Sequence, residues 1–220
     1  KCRISSGTAI FATCLKHPMR SSKLILIPVL LIVLSAPVFG QYDPEAFKIL
    51  DAMSKRYKAF TSFEAHLTYT LSNDVSKVND KFEGKIAVKG NKFKLTLPEQ
   101  EVINNGSVVW TFVPDANEVT IENFDPSSED VNPAKIYDIY KKGFKYLKLD
   151  PETEAGVKVD VVDLVPEKKD AQFFKIKMRI SQKDKSIVSW TMYDKSGNLF
   201  KYSISKFTPN VKFEESVFSW

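Results

Sequence analysis

The side chains that most often do chemistry in proteins are few and scattered in this sequence. His66 is one of two histidines, and the other is His17 near the start of the chain. Adjacent carboxylates occur at residues 129–130 and 214–215, where they are most simply solvated surface groups. Metal sites and acid–base pairs need more such groups, and no nucleophile elbow, phosphate loop or dinucleotide fingerprint is present. We therefore predict a protein that is not an enzyme and that uses no metal and no cofactor.

Residues 1–40 have the organisation of a secretory leader. Two basic residues precede an apolar stretch, residues 24–34, that is shorter than the ~20 residues a helix needs to span a bilayer. Gly40 ends an acceptable cleavage context, and Met19 lies where a start would be expected. We predict an upstream extension and a signal peptide that is cleaved after Gly40. The alternative is a short membrane anchor.

Both cysteines, Cys2 and Cys14, lie upstream of this predicted cleavage site. The mature chain, residues 41–220, would then contain no disulfide and no thiol nucleophile. The cleavage site is not followed by a cysteine that could be lipidated. We expect residues 41–220 to be a single domain that is soluble in the periplasm.

The formal net charge of +5 comes from the leader. Residues 1–40 contain five of the 32 Lys and Arg residues and no acidic residue, so the remaining 27 balance the 27 Asp and Glu residues. A neutral mature chain lacks the basic surface that nucleic acid binding requires. We therefore predict no nucleic acid partner.

Helical periodicity predicts two helices. Asp43-Pro44 opens the first, as N-cap and first helical residue, and an apolar stripe follows at spacings of three and four. Asn132-Pro133 opens the second, whose apolar side runs from Ile136 to Phe144. Gly143 interrupts the second helix at a cost of ~1 kcal/mol relative to alanine, so this helix should end or bend there.

Strands are predicted wherever apolar and polar residues alternate with period two. Residues 84–124 contain four or five such runs, with a tight hairpin at Asn105-Gly106. An earlier run begins at Phe63, others lie within residues 157–204, and the chain reaches Trp220 in what resembles another strand. A sheet this wide, covered by two helices, either closes into a packed barrel or leaves an apolar cavity.

The sequence resembles the LolA/LolB superfamily of periplasmic lipoprotein carriers over most of residues 41–220. The first helix ends in K-x-F-x-S-F at residues 58–63, and residues 88–95 read V-K-G-N-K-F-K-L. Asn105-Gly106-x-x-x-Trp110-x-Phe112-x-Pro114 is similar to a hairpin motif of that family. The resemblance implies an α+β fold, an incomplete antiparallel β-barrel whose large curved sheet has helices covering its concave face.

The resemblance further implies a cavity that takes lipoprotein acyl chains and a helical lid over it. We expect the cavity to be lined from the strands by Leu67, Phe93, Leu95, Leu97, Trp110, Phe112 and Ile121. We expect the lid residues to be Ile136, Ile139, Tyr140 and Phe144.

The implied function is transfer of lipoproteins from the inner to the outer membrane by a monomeric carrier. Its partners would be lipoprotein acyl chains, an inner-membrane lipoprotein-releasing exporter and, where one exists, an outer-membrane receptor. The alternative is a periplasmic module on the same scaffold that senses lipids or lipoproteins without transporting them.

One departure from the family concerns the lid. Relatives have an arginine after the V-K pair of the second strand, which helps to hold the lid closed, whereas Val88-Lys89 is followed here by Gly90. Lys89 or Lys92 could substitute for that arginine. We expect instead a lid held mainly by apolar contacts, without a strong polar lock.

The leader prediction can be checked by mass. The intact mass of the exported protein should correspond to residues 41–220. A mature species that retains residues 24–34 would contradict cleavage.

Overall fold

The alternation of apolar and polar residues produces one large antiparallel sheet. The computed structural model describes residues 42–125 and 132–220, so the predicted leader lies outside the described residues. The elements, in chain order, are helix α1 (Pro44–Lys58), strands β1 (Ser62–Asn73), β2 (Val78–Lys89), β3 (Lys92–Thr96), β4 (Glu101–Asn104), β5 (Val108–Val113) and β6 (Glu118–Asn123), the 3₁₀ helix η1 (Pro133–Lys141), strands β7 (Phe144–Glu154), β8 (Val157–Pro166), β9 (Phe173–Ser181), β10 (Ile187–Asp194) and β11 (Leu199–Pro209), and the 3₁₀ helix η2 (Glu215–Phe218).

The eleven strands lie in the order β6-β5-β4-β3-β2-β1-β11-β10-β9-β8-β7. Strand β1 pairs with both β2 and β11, so it joins an amino-terminal meander to a carboxy-terminal one. Strands β6 and β7 are the two edges of the sheet and are not paired with each other. This open arrangement confirms the predicted α+β fold with an incomplete antiparallel β-barrel. Within the described residues, no helix has the length and apolar character needed to cross a membrane.

Helix α1 begins where the sequence predicted. The carboxylate of Asp43 accepts hydrogen bonds from the backbone N–H groups of Glu45, at 2.8 Å, and Ala46, at 3.4 Å. Pro44 occupies the first helical position, where a missing N–H has no cost. The apolar stripe of α1 is buried in the main core, so this helix covers one face of the sheet. We call the face that packs on α1 the inner face and its opposite the outer face.

Strand pairing divides the predicted cavity residues between the two faces, because directly paired residues point to the same side of a sheet. Leu95 pairs with Ile86 and lies on the inner face. Trp110 pairs with Ile121 and with Ile103, which places all three on the outer face. Phe112 is two residues beyond Trp110 and shares that face.

The expectation that Trp110, Phe112 and Ile121 line an inner cavity is therefore wrong. Alternation showed which residues of one strand share a face, but the loop at residues 97–100 sets the register between β3 and β4. Thr96 pairs with Glu101 and Lys94 with Ile103, so the apolar side of β5 continues the polar side of β3. Ile121 is 65% exposed on edge strand β6.

The second predicted helix is shorter than its periodicity indicated. It is a 3₁₀ helix that ends at Lys141, and Gly143 follows with φ of 72°. Such a backbone angle is readily adopted by glycine, and the chain reverses there into β7. Phe144 was expected on the lid, but it is the first residue of β7, where it pairs with Pro166. Phe144 and Tyr146 alternate with Lys145, so these residues fit the period of a strand as well as that of a helix.

The carboxy-terminal segment packs on the outer face. Residues 215–218, expected to be part of a strand, form η2, and Phe218 is only 1% exposed. Glu215 binds Lys89 and Lys92 at 2.6 Å each, and these hydrogen bonds lower the pKa of Glu215 to about 2. Trp220 contacts Phe112 with 5.4 Å between ring centroids. Apolar residues on the outer face are thus partly covered by the end of the chain.

We predict that Phe218→Ala lowers the free energy of unfolding by about 3 kcal/mol, because it removes a fully buried aromatic ring and leaves a cavity. Urea denaturation would measure the change. Lys212→Ala, at an exposed position in the same segment, is the matched control and should change stability by less than about 0.5 kcal/mol. Equal effects of the two substitutions would show that the segment is not docked.

Candidate apolar ligand site

A cavity of about 170 Å³ lies between the inner face and the two helical segments α1 and η1. It is centred on the four strands in the middle of the sheet order, β2, β1, β11 and β10, together with β3. The lining residues are Tyr57, Phe63, Ala65, Leu67, Ile86, Leu95, Ile136, Tyr137, Ile187, Trp190, Met192, Tyr202, Ile204 and Phe207.

Cross-strand pairing brings these residues together. Ala65 on β1 pairs with Ile86 on one side and Phe207 on the other. Leu67 pairs with Gly84 on β2 and with Ile204 on β11. Every second residue of a strand contributes to the same face, so five neighbouring strands together form a continuous apolar wall.

Gly84 allows the wall to pack closely at one point. A Cβ atom at this position would collide with the side chain of Leu97, and it would lie 3.0 Å from the carbonyl oxygen of Thr96 and 3.2 Å from Cδ1 of Leu67. The absence of a side chain therefore lets Leu97 cross over β2 towards Leu67. A larger residue at Gly84 would push these neighbours apart.

The polar atoms of the lining belong mainly to tyrosines, and their environment keeps them uncharged. Tyr57 stacks on Tyr137 with 5.3 Å between centroids, and its hydroxyl accepts a 3.1 Å hydrogen bond from the backbone N–H of Ile187. Burial raises the pKa of Tyr57 to about 12. Burial likewise raises the pKa of Tyr202, which stacks on Trp190 at 4.9 Å. No lining residue carries a charge, so the site suits an apolar ligand.

The predicted residues fall into three groups. Leu67, Leu95 and Ile136 line the cavity. Phe93, Leu97 and Tyr140 are buried in the same core, and Ile139 packs against it. Trp110, Phe112 and Ile121 lie on the outer face, and Phe144 is in a strand.

Sequence reasoning missed the contribution of β10 and β11. Trp190, Met192, Tyr202 and Ile204 line the cavity, but the alternating runs within residues 157–204 do not by themselves indicate which strands adjoin the site. The signal that could have placed them is the β1–β11 pairing. That pairing joins residues about 140 positions apart, and local periodicity carries no information about it.

A polar cluster connects η1 to α1. Asp138 on η1 forms ion pairs with Lys58 of α1 at 3.0 Å and with Lys141 of η1 at 2.7 Å. The hydroxyl of Ser54 donates to the same carboxylate and accepts from Lys141 at 3.0 Å. Desolvation opposes the charge of Asp138, but hydrogen bonds from Lys141, Ser54 and Lys58 outweigh it and keep its pKa below the ordinary value.

This cluster is a polar contact between η1 and α1 that the sequence analysis did not predict. Lys89 and Lys92, suggested as substitutes for the missing arginine, bind Glu215 on the outer face and do not take that role. The side chains that join η1 to its neighbour come from α1 and η1 themselves.

Metal chemistry has no comparable constellation in the described part of the chain. No group of three or more His, Cys, Asp or Glu residues within 42–125 and 132–220 could hold a metal ion. His66 lies on the outer side of β1, 3.6 Å from Glu64.

An open curved sheet around an uncharged cavity, with helical segments over its mouth, defines a carrier-type scaffold for an apolar ligand. A sequence profile described as outer membrane lipoprotein carrier protein LolA matches residues 58–220. The chain belongs to this LolA family. Its members are carrier and binding proteins rather than enzymes. No curated protein matches the chain significantly.

Several solved structures are similar to this chain. A LolA superfamily protein from Nitrosomonas europaea is 13% identical, with 80% of this chain and 97% of that chain covered and a TM-score of 0.44. An uncharacterized conserved protein from Thermus thermophilus is 11% identical, with 80% and 93% covered and a TM-score of 0.53. Lipoprotein LppX from Mycobacterium tuberculosis is 12% identical, with 78% and 100% covered and a TM-score of 0.48. At 11% identity, the Thermus thermophilus structure supports the fold and does not identify a ligand.

We predict that Asp138→Asn lowers the free energy of unfolding at pH 7 by about 1–2 kcal/mol, because it weakens charge-assisted hydrogen bonds in a half-buried cluster. The folded-state pKa of Asp138 is depressed, so its contribution is present above the ordinary value of 3.8 and is lost as the pH falls through the lower folded-state pKa. Denaturation of wild type and variant at pH 7 and at about pH 2.5 would measure both values.

Glu45→Gln provides a matched control on α1, because Glu45 forms an exposed ion pair with Lys48 at 2.7 Å. Exposed pairs contribute about 0–1 kcal/mol. A loss for Asp138→Asn that equals the control, or that does not shrink in acid, would contradict a stabilising role of the cluster.

Proposed function

We propose that this chain is a soluble periplasmic carrier that shields lipoprotein acyl chains in its cavity and transfers lipoproteins from the inner to the outer membrane. The observation that carries the proposal is the uncharged cavity of about 170 Å³ between the inner face and η1. Membership of the LolA family supports it independently. Delivery would use an inner-membrane lipoprotein-releasing exporter and an outer-membrane acceptor.

The size of the cavity indicates that the cover must move. A dry cavity of about 150 Å³ in another protein takes up benzene, and an acyl chain is several times larger. A cavity of this volume can admit the beginning of a chain but not its whole length. Uptake therefore requires η1, or η1 together with α1, to separate from the inner face.

Segment η1 is suited to such a movement. A 3₁₀ helix has poorer hydrogen-bond geometry than an α-helix and is rarely long. Its hold on the rest of the protein consists of apolar contacts, including those of Ile136, Tyr137 and Tyr140, and of the polar cluster at Asp138. Both kinds of contact can be exchanged for contacts with a ligand or with water.

The energetics fit reversible binding. Each buried methylene contributes about 0.8 kcal/mol, so a chain that replaces η1 against the inner face would gain several kcal/mol. Part of that gain is spent in opening the cover, which leaves a net affinity weak enough for release to an acceptor. A ligand can shift the populations of an open and a closed state when the two states have similar free energies.

The cavity can be filled by a substitution on its wall. Ala65 lines the cavity on β1, so the ring of Ala65→Phe should occupy much of the available space. Thr68→Phe places the same ring on the outer face of the same strand and is the matched control. We predict that wild type binds a hydrophobic dye, that fatty acid displaces the dye, and that Ala65→Phe weakens dye binding at least about tenfold. Far-UV circular dichroism should be unchanged in both variants.

Transport has a second measurement. Wild type and Thr68→Phe should release lipoprotein from spheroplasts, whereas Ala65→Phe should not. Equal dye binding by Ala65→Phe and Thr68→Phe would show that the cavity is not the ligand site. Fatty acid binding by wild type without any release of lipoprotein would favour the sensing module over the carrier.

A further inference from the structure

The two edges of the sheet are protected to different degrees. Strand β7 has an irregular register against β8 between Leu149 and Glu152, and Pro151 lies within that interval. The backbone N–H of Asp43 also donates a 3.2 Å hydrogen bond to the carbonyl oxygen of Tyr146 on β7. Bulges, prolines and covering segments are means by which proteins keep a sheet edge from pairing with another strand. The chain thus protects the β7 edge in three ways.

Strand β6 has none of these features within the described residues. All six of its residues pair with β5 in an unbroken register, and the strand contains no proline. The backbone N–H of Phe124 donates to the carbonyl oxygen of Ser107, so these residues form a hydrogen-bonded pair. Such pairs alternate along an antiparallel ladder, which directs the backbone groups of Val119, Ile121 and Asn123 away from β5. We call this row of backbone groups the β6 edge, and no described strand pairs with it.

The side chains of β6 add apolar surface and negative charge to this edge. Val119 and Ile121 lie on the outer face and are 38% and 65% exposed. Glu118 and Glu122 point to the other side of the strand. Together with Asp115 in the preceding turn, they are the charged residues of 105–123, a stretch without Lys or Arg. None of these three carboxylates forms an ion pair with a residue in 42–125 or 132–220.

The two glutamates make β6 a poor partner for a second copy of itself. If two β6 strands paired antiparallel about Thr120, Glu118 of each copy would lie opposite Glu122 of the other. Like charges directly opposite each other destabilise a strand pair, whereas opposite charges stabilise it. The same carboxylates that disfavour a second copy therefore favour a strand that carries Lys or Arg at those positions.

We propose that the β6 edge binds an extended basic segment of a partner polypeptide, which adds to the sheet as a further strand. Strand addition derives its affinity from main-chain hydrogen bonds and its specificity from alternate side chains. The added strand would exchange main-chain hydrogen bonds with Val119, Ile121 and Asn123. It would place Lys or Arg beside Glu118 and Glu122, and apolar side chains beside the exposed Val119 and Ile121.

This interaction goes beyond the proposed carrier function and does not require a ligand in the apolar cavity. The cavity is centred on β2, β1, β11 and β10, together with β3, and its lining includes no residue of β4, β5 or β6. Strands β4 and β5 lie between the β6 edge and the nearest wall of the cavity. A partner strand on β6 would therefore leave the residues that line the cavity in place.

A synthetic peptide with alternating Lys and Val, K-V-K-V-K-V-K, tests the proposal. We expect the fluorescently labelled peptide to bind the purified protein saturably, as measured by fluorescence anisotropy. The acidic analogue E-V-E-V-E-V-E and the block peptide K-K-K-K-V-V-V should bind at least about tenfold more weakly, because they lack the matching charge or the matching alternation. Hydrogen exchange of the backbone N–H groups of Val119 and Ile121 should slow when the alternating peptide is bound.

Variants separate the contributions of charge and backbone. Glu118→Gln/Glu122→Gln should weaken peptide binding about tenfold, at a few-fold per opposite-charge cross-strand pair. Glu45→Gln/Glu83→Gln is the matched control, because it removes the same charge from exposed positions on α1 and β2. Ile121→Pro removes an outward N–H donor without breaking a β5–β6 hydrogen bond and should abolish binding. A peptide that is N-methylated at its valines makes the same test with the unaltered protein.

Equal binding by the two double variants would overturn the proposal, and so would equal binding of the alternating and the block peptide. Failure of wild type to bind the alternating peptide would overturn it as well, and a dimer in size-exclusion chromatography would then assign the edge to a second copy. Dye binding in the cavity should be the same in wild type and in both double variants. Failure of strand addition can therefore be told apart from failure of the carrier function.

Discussion

The inner face of an open eleven-stranded sheet has to be kept from water, and most features of this protein follow from that constraint. A closed barrel would bury the face against itself, but here β6 and β7 are separate edges. Helix α1 and the short η1 are the elements that cover it. They do so incompletely, and a cavity of about 170 Å³ remains between Tyr137 on the cover and Leu95 on the sheet.

The outer face needs a cover too, and the end of the chain supplies it. Phe218 is buried, and Glu215 of the same segment forms ion pairs with Lys89 and Lys92 on the outer face. The two covers differ in character. The outer one is anchored at a single carboxylate and a buried ring, whereas the inner one is joined to α1 through Asp138 and touches the cavity through Ile136. Of these two covers, the inner one adjoins space that a ligand could enter.

The polar cluster between α1 and η1 keeps the cover in place without filling the cavity. Asp138 accepts hydrogen bonds from Ser54, Lys58 and Lys141 at the edge of the apolar core, where both lysines remain partly exposed to water. Such contacts favour one position of η1 while leaving others within reach. A packed apolar interface of the same size would resist displacement more strongly.

The sequence by itself determined α1, with its Asp43 cap, and the α+β class. It also determined strands with a clear apolar–polar alternation, such as β3 with Phe93 and Leu95 and β10 with Trp190. Local chemistry decides these features, because a cap or an alternating run acts over a few residues. Only the tertiary structure decided that Trp110 and Ile121 face outward, that Phe144 belongs to a strand, and that β1 meets β11. Those outcomes depend on register and on pairing between distant segments, and a period-two pattern is identical for both faces of a sheet.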